Sequence, residues 1–264
     1  MNADAGRGMM MLEKIKRAKA IASDVDGTIT IDRNSYYIPP EVIEGMTLLR
    51  KAGIKLFFVS ANAFPIVYGL ARYLGGDGVV AENGCIVTAL EAGIKRPTVA
   101  ELCSESHREI PKLIAEKMPD KFRESWQNDF RKYDFALEVL DKSMDAKQII
   151  KSIKDLLERV GVNDKVEVNF SGYAVHITPK GAGKLRGLKY LLSSLNMGME
   201  EIVGIGDSYM DWDFIREAGV KVAVANADLE LKKRVEIITD FDSGYGFAQL
   251  CKTMAEAKLL EKED

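Results

Sequence analysis

The sequence predicts an α/β fold built on a mostly parallel sheet, and three observations carry that prediction. Short β-rich runs alternate with amphipathic helical stretches from Ala20 onward. The rhythm breaks between residues 86 and 178, where apolar side chains recur at period two, and it resumes after Pro179. The 264 residues, 47% apolar and 29% charged, suffice for a large core under a solvated surface. The expected organisation is a discontinuous core, residues 1–85 and 179–264, interrupted by an inserted α+β domain over residues 86–178.

The first 19 residues are polar and Met-rich and read as a frayed end or a first helix. Ala20 to Asp24 is a strand that runs into a turn at Gly27 and Thr28. Pro39 opens a helix to about Lys51, because proline suits a first helical turn; Ile43, Met46, Leu48 and Leu49 give its apolar face and Gly53 stops it. Ile54 to Val59 is a continuous apolar run, as a strand covered on both faces requires. Phe64 to Tyr73 is a helix ended by Gly75 and Gly76, and Gly78 to Ala81 is a further strand. In the interruption, Ile86 to Val99 reads as a hairpin, followed by a helix to about Met118. The alternation Phe135, Leu137, Val139 then marks a strand with one solvated face. A helix from about Asp145 to Val160 and strands Val166 to Phe170 and Tyr173 to Thr178 complete it. The core resumes with helix Lys184 to Leu195, strand Glu201 to Gly206, helix Asp211 to Ala218 and strand Lys221 to Ala225. A short helix, strand Glu236 to Thr239 and a last helix from about Tyr245 follow.

Charge and composition exclude several function classes. Lys plus Arg number 37 against 40 for Asp plus Glu, so net −3 argues against a broad nucleic-acid-binding face and leaves room only for a local basic pocket. No apolar run reaches the roughly 18–20 residues of a membrane span, and Met9 to Leu12 is too short for a signal-peptide core. A soluble, cytoplasmic protein is expected, with homo-oligomerisation left open. Cys85, Cys103 and Cys251 are far apart, odd in number and without a C-x-x-C, so reduced structural thiols are expected.

The chemistry-bearing residues share one structural address. Asp24, Ser60 and Asp207 each sit where a core strand ends, and open α/β sheets bind ligands at the carboxyl ends of their strands. In Asp24-Val25-Asp26-Gly27-Thr28 two carboxylates two residues apart aim at one point, while Gly27 frees the backbone to turn and offer amides to an anion. Gly206-Asp207-Ser208-Tyr209-Met210-Asp211 adds a second acidic cluster. Hard oxygen ligands such as Asp24 and Asp207 suit Mg²⁺ and a substrate phosphate, whereas a zinc site lacks Cys or His at ligand spacing. Asp211 also reads as a cap for the helix it opens. Lys184 begins a helix after Lys180-Gly181-Ala182-Gly183 and is placed to act as a point charge on a phosphate, with Lys180 as the competing choice. Ser60-Ala61-Asn62 offers a hydroxyl, a backbone amide and a side-chain amide to a phosphate oxygen. His176, inside a strand, reads as a satisfied structural histidine rather than a base. Glu82-Asn83-Gly84 reads first as a turn.

In order and spacing, D-x-D-G-T at 24–28, Ser60, Lys184 and G-D-x-x-x-D at 206–211 resemble the haloacid dehalogenase (HAD) superfamily of phosphatases. The resemblance spans nearly the whole chain from residue 20. It implies a Rossmann-like core with a Cof-type α+β cap. The modest cap, V-A-E-N-G at 80–84, A-V-H-I at 174–177 and V-A-V-A-N-A at 222–227 are most similar to archaeal phosphoglycolate phosphatases. The resemblance implies Asp24 as nucleophile and Mg²⁺ ligand, and Asp26 as general acid and base with its backbone carbonyl on the metal. Ser60 and Lys184 would hold the phosphoryl group, beside the Ala61 and Asn62 amides already read from the 60–62 segment, and Asp207 and Asp211 would complete the metal site. Two positions depart from the usual pattern: Met210 precedes Asp211 where many relatives have Asn, and Leu185 follows the lysine where Gly is usual. The implied activity is Mg²⁺-dependent hydrolysis of a small phosphorylated metabolite, first 2-phosphoglycolate. A sugar phosphatase or phosphomutase of the same superfamily is the alternative, and a non-catalytic phosphate-binding module would be expected to lack Asp24 or Asp26.

Overall fold

A computed structural model describes residues 13–90 and 97–260 of the chain. Residues 13–17 are helical; positions 1–12, including Met9 to Leu12, 91–96 and 261–264 lie outside the described residues.

Runs such as Ala20–Ser23 and Ile202–Gly206 have every side chain buried, the pattern of parallel strands covered on both faces. The large sheet contains β1 (Ala20–Ser23), β2 (Lys55–Val59), β3 (Gly78–Ala81), β4 (Ile86–Ala89) and β5 (Val99–Glu101). The smaller one contains β6 (Phe122–Glu124), β7 (Phe135–Val139), β8 (Val166–Phe170) and β9 (Ala174–Pro179). β10 (Ile202–Gly206), β11 (Val220–Ala223) and β12 (Ile237–Ile238) return to the large sheet. Its order is β12-β11-β10-β1-β2-β3-β4-β5, parallel as far as β3 and antiparallel through β4 and β5. In register, Ser23 lies beside Phe58 on one side and Ile205 on the other, so Asp24 is level with Val59 and Gly206. Ser60 and Asp207 therefore each stand one residue beyond Asp24 at the same sheet edge.

Helix Pro40–Ala52 starts on its Pro and stops at Gly53 in the left-handed region; Val42, Met46 and Leu49 face inward, and it packs against helix Ser243–Leu260. Ile43, expected on the inner face, is 41% exposed because Val42 takes the core position. Helix Lys184–Ser194 packs on β3 and β4. The helix expected over Asp211 to Ala218 is shorter, a 3₁₀ turn at Tyr209–Asp211 followed by Trp212–Ile215.

The small sheet, ordered β6-β7-β9-β8, is antiparallel throughout. Helices Glu109–Lys117 and Ala146–Arg159 cover one face, burying Ile110, Ile114, Ile149, Ile153 and Leu157 against Leu137, Val168, Val175 and Ile177. Each such side chain, fully buried, contributes about 2 kcal/mol. Asp145 and Gln148 form a capping box that fixes where the second of these helices begins. The other face is not simply solvated: Ala136 and His176 are buried there over the carboxyl ends of the large sheet.

Two expectations need correction. The hairpin beginning at Ile86 belongs to the large sheet, because β4 pairs with β3 through Val79↔Thr88 and β5 with β4 through Val87↔Ala100. The second layer therefore starts beyond Glu101 rather than at 86. The hairpin register also brings Cys85 beside Cys103, and the two form a disulfide with Cα atoms 5.1 Å apart, where reduced thiols were expected. Cys251 is a buried free thiol.

Candidate active site

The turn after β1 is shaped by Gly27, at φ +80; a Cβ there would collide with the Asp207 carboxylate. Its amide donates to Thr30 Oγ1 at 2.8 Å. This turn aims Asp24 and Asp26 into a cavity of about 380 Å³, also lined by Ser60, Ala61, Asn62, Lys184, Asp207 and Asp211. Every residue proposed for the site from the sequence reaches that one space.

Asp24, Asp207 and Asp211 are buried, and one ligand atom from each lies within 4.8 Å of the others. Lys184 Nζ donates to Asp24 Oδ1 and to Asp211 Oδ1, both at 2.7 Å, whereas Lys180 is exposed. The close approach that places Lys184 depends on Gly84, φ +88, whose missing side chain lets the 82–84 turn touch the start of the lysine's helix at Gly183. While its Oδ1 holds Lys184, Asp211 Oδ2 accepts the amides of Asp207 at 3.2 Å and Ser208 at 3.0 Å, so it closes the Tyr209–Asp211 turn rather than capping the helix that follows. Arg33 clamps Asp207, with Nε on Oδ2 and Nη2 on the backbone carbonyl at 2.6 Å. The sequence alone gave no signal for this contact, since Arg33 sits in an irregular loop.

Burial and the neighbouring Asp211 charge push the Asp24 carboxyl well above its ordinary range, against the pull of Lys184. The same two causes raise Asp207 to about 7, opposed by Arg33. Burial works to lower the Lys184 pKa, yet the Asp211 and Asp24 carboxylates outweigh it and leave the ammonium above its ordinary value. Crowded, buried carboxylates with hard oxygen donors fit a divalent cation, whose charge would relieve this repulsion.

Asp26 is directed elsewhere. Its carboxylate accepts from Asn62 Nδ2 at 2.6 Å, and its side chain is not in the acidic cluster. Burial raises its pKa, against the charge of Lys184, the Asn62 bond and the charge of Arg131. Ser60 Oγ accepts the Asn62 amide at 3.0 Å, which shapes the 60–62 loop.

The small-sheet side contributes Arg131 and Asp134, which sequence reading did not single out, and they meet the 60–62 and 82–84 turns respectively. Glu82, 1% exposed, accepts the amides of Lys132 at 2.9 Å, Tyr133 at 2.7 Å and Asp134 at 3.2 Å through Oε2. Arg131 Nη1 donates to the Ala61 carbonyl at 2.7 Å. The Glu82-Asn83-Gly84 turn therefore joins the two layers, with φ +49 at Glu82 and +50 at Asn83.

Residues 21–101 and 97–250 match the family of haloacid dehalogenase-like hydrolases. A phosphoglycolate phosphatase of Staphylothermus marinus is 37% identical over 243 residues, covering 91% of this chain and 97% of that protein. Phosphoglycolate phosphatase 1 of Saccharolobus solfataricus is 39% identical over 229 residues, covering 86% and 92%. Among solved structures, a Thermoplasma acidophilum protein superposes with a TM-score of 0.73 at 24% identity, covering 90% of this chain and 98% of its own. A haloacid dehalogenase-like hydrolase from Bacteroides thetaiotaomicron gives 0.70 at 21% identity, covering 89% and 98%. The last two likenesses concern the fold alone.

Proposed function

The chain belongs to the haloacid dehalogenase-like hydrolase family, and from that premise we propose that it hydrolyses 2-phosphoglycolate with Mg²⁺ through a phosphorylated Asp24. The observation that carries this reading is the buried Asp24 carboxylate, held at 2.7 Å by Lys184 at the floor of a cavity it shares with Asp26, Asp207 and Asp211. The relatives named as phosphoglycolate phosphatases support the substrate.

Mg²⁺ held by Asp24, Asp207, Asp211 and the Asp26 backbone carbonyl would supply the positive charge that lets a dianionic phosphate approach a carboxylate. Lys184 fixes the rotamer of Asp24 through Oδ1 and, with Ser60, the Ala61 amide and Asn62, takes up charge on the phosphoryl oxygens. A carboxylate oxygen of Asp24 attacks phosphorus, and the bond to the substrate's alkoxide oxygen breaks. Asp26, kept protonated more readily by its burial and oriented by Asn62, gives that oxygen its proton. The Asp26 carboxylate then takes a proton from water as the water oxygen attacks phosphorus. The bond from phosphorus to Asp24 breaks and phosphate leaves. The small sheet, roofing the cavity with Ala136 and His176, limits water near the first step.

The test is phosphate release from a panel of monoesters with Mg²⁺ or EDTA, beside Asp24→Asn. The expected result is fastest release from 2-phosphoglycolate, dependence on the metal and no turnover by the variant. Wild-type turnover by Asp24→Asn, or indifference to EDTA, contradicts the mechanism.

A further inference from the structure

Opposite the catalytic carboxylates, the cavity wall carries a second polar group that the hydrolytic chemistry does not use. Asp134 is fully buried; its Oδ2 accepts from Asn83 Nδ2 at 2.8 Å, and both of its oxygens lie 3.0 Å from His176 Nδ1. A nitrogen facing a carboxylate carries the proton, so Nε2 remains as the other polar atom of a ring that lines the cavity. Arg131, with 3% of its side chain exposed, stands beside this pair, its Nη1 3.5 Å from Asp134 Oδ2. Nη1 donates to the Ala61 and Asp134 carbonyls, Nη2 donates to Gln127, and Nε has no partner among the described residues. Arg131 lines the same cavity, and its charge is felt by Asp26.

Burying an arginine, an aspartate and a histidine together is costly unless the charges are used. Arg131 and Asp134 balance one another. A phosphate held at Lys184 satisfies the floor of the cavity and leaves this wall to the organic part of the substrate. On the strand surface His176 has Ala136 and Asn169 as cross-strand partners, neither of which supplies a charge.

We propose that Arg131 and His176 form the specificity pole of the site, recognising the carboxylate of a short phosphorylated carboxylic acid, with Asp134 and Asn83 as positioning residues. This rests on the phosphatase reading above and deepens its substrate class.

Steady-state kinetics on 2-phosphoglycolate and ethyl phosphate, which lacks the carboxylate, test it in wild type, His176→Asn and Arg131→Lys, with folding checked by circular dichroism. In the variants KM for 2-phosphoglycolate should rise about 30-fold, the scale of one charged hydrogen bond, while kcat stays within about threefold. The ratio of kcat/KM on 2-phosphoglycolate to kcat/KM on ethyl phosphate should therefore fall about 30-fold, whatever either variant does to the turnover the two substrates share. Either variant, if folded, suffices. Equal losses on both substrates, or a retained preference for 2-phosphoglycolate, overturn the proposal and leave the phosphatase reading intact. A wild type that prefers a different phosphorylated carboxylic acid, with the preference lost in His176→Asn, overturns the choice of 2-phosphoglycolate alone. A wild type indifferent to the carboxylate overturns both.

Discussion

The two walls of the cavity obey opposite rules. On the large-sheet wall, Asp24, Asp207 and Asp211 crowd around Lys184 and Arg33, and the carboxyls of Asp24 and Asp207 titrate above their ordinary range. On the small-sheet wall, Arg131, Asp134 and His176 are already paired with one another or with Asn83 and Gln127. The first wall is short of positive charge and calls for a cation; the second is nearly complete by itself. The two walls thus present groups of different electrostatic character, and they meet where Arg131 holds the Ala61 carbonyl.

The largest expected effect is on the large-sheet wall. Lys184→Met, assayed with saturating Mg²⁺, should lower kcat by about 10³-fold or more, since one preorganised cation is lost from the phosphoryl oxygens. A loss below tenfold would place the phosphate elsewhere. Asp26→Ala should cost about 10²-fold in turnover while a divalent ion still raises the melting temperature. Activity within threefold of wild type would remove Asp26 from the proton transfers.

The joint between the walls should show up in stability. Glu82→Ala strips the acceptor from the amides of residues 132–134, two of them buried, so unfolding free energy should fall by about 3 kcal/mol in a denaturant titration. Hydrogen exchange should accelerate at those amides first. Unchanged exchange there would mean that the small sheet is held by its apolar contacts alone.

The smallest effect distinguishes the walls by pH. Asp207 binds its proton more tightly in the folded chain, at about 7, than an unfolded aspartate does at about 3.9. Folded-state stability of metal-free protein should therefore fall as pH rises from about 4 to about 7 and be fully reduced above that. In EDTA the melting temperature should be several degrees higher at pH 5.5 than at pH 8, and Mg²⁺ should raise it chiefly at pH 8. Parallel curves with and without Mg²⁺ would show that the acidic cluster is not where the ion sits.

Much of the large-sheet wall was legible because strand ends and short motifs fix it locally. Asp24, Ser60 and Asp207 follow apolar runs, and parallel register then aligns them. The other wall had no such local signature. Arg131 and Asp134 lie between elements, and His176 resembles any strand histidine until Asp134 is found behind it. Glu82 looked like a turn and is one, but its carboxylate is committed to amides about fifty residues away, a pairing only the tertiary structure reveals. The same holds for the Cys85–Cys103 bridge and for the hairpin's membership of the large sheet, which depend on strand register rather than composition.

The central position of β1 has a consequence for the order in which the molecule can form. Its neighbours are β2, close behind it in the chain, and β10, which arrives only after the whole small sheet has been made. Pairing of Ala20 with Ile202 closes a very long loop, the kind of contact that slows folding, whereas β6 to β9 pair over short distances. During synthesis the specificity wall can therefore take shape while Asp24 still lacks Asp207 and Asp211. The carboxylate cluster is among the last features to exist, and a nascent chain released before residue 207 would hold Asp24 without Asp207 or Asp211.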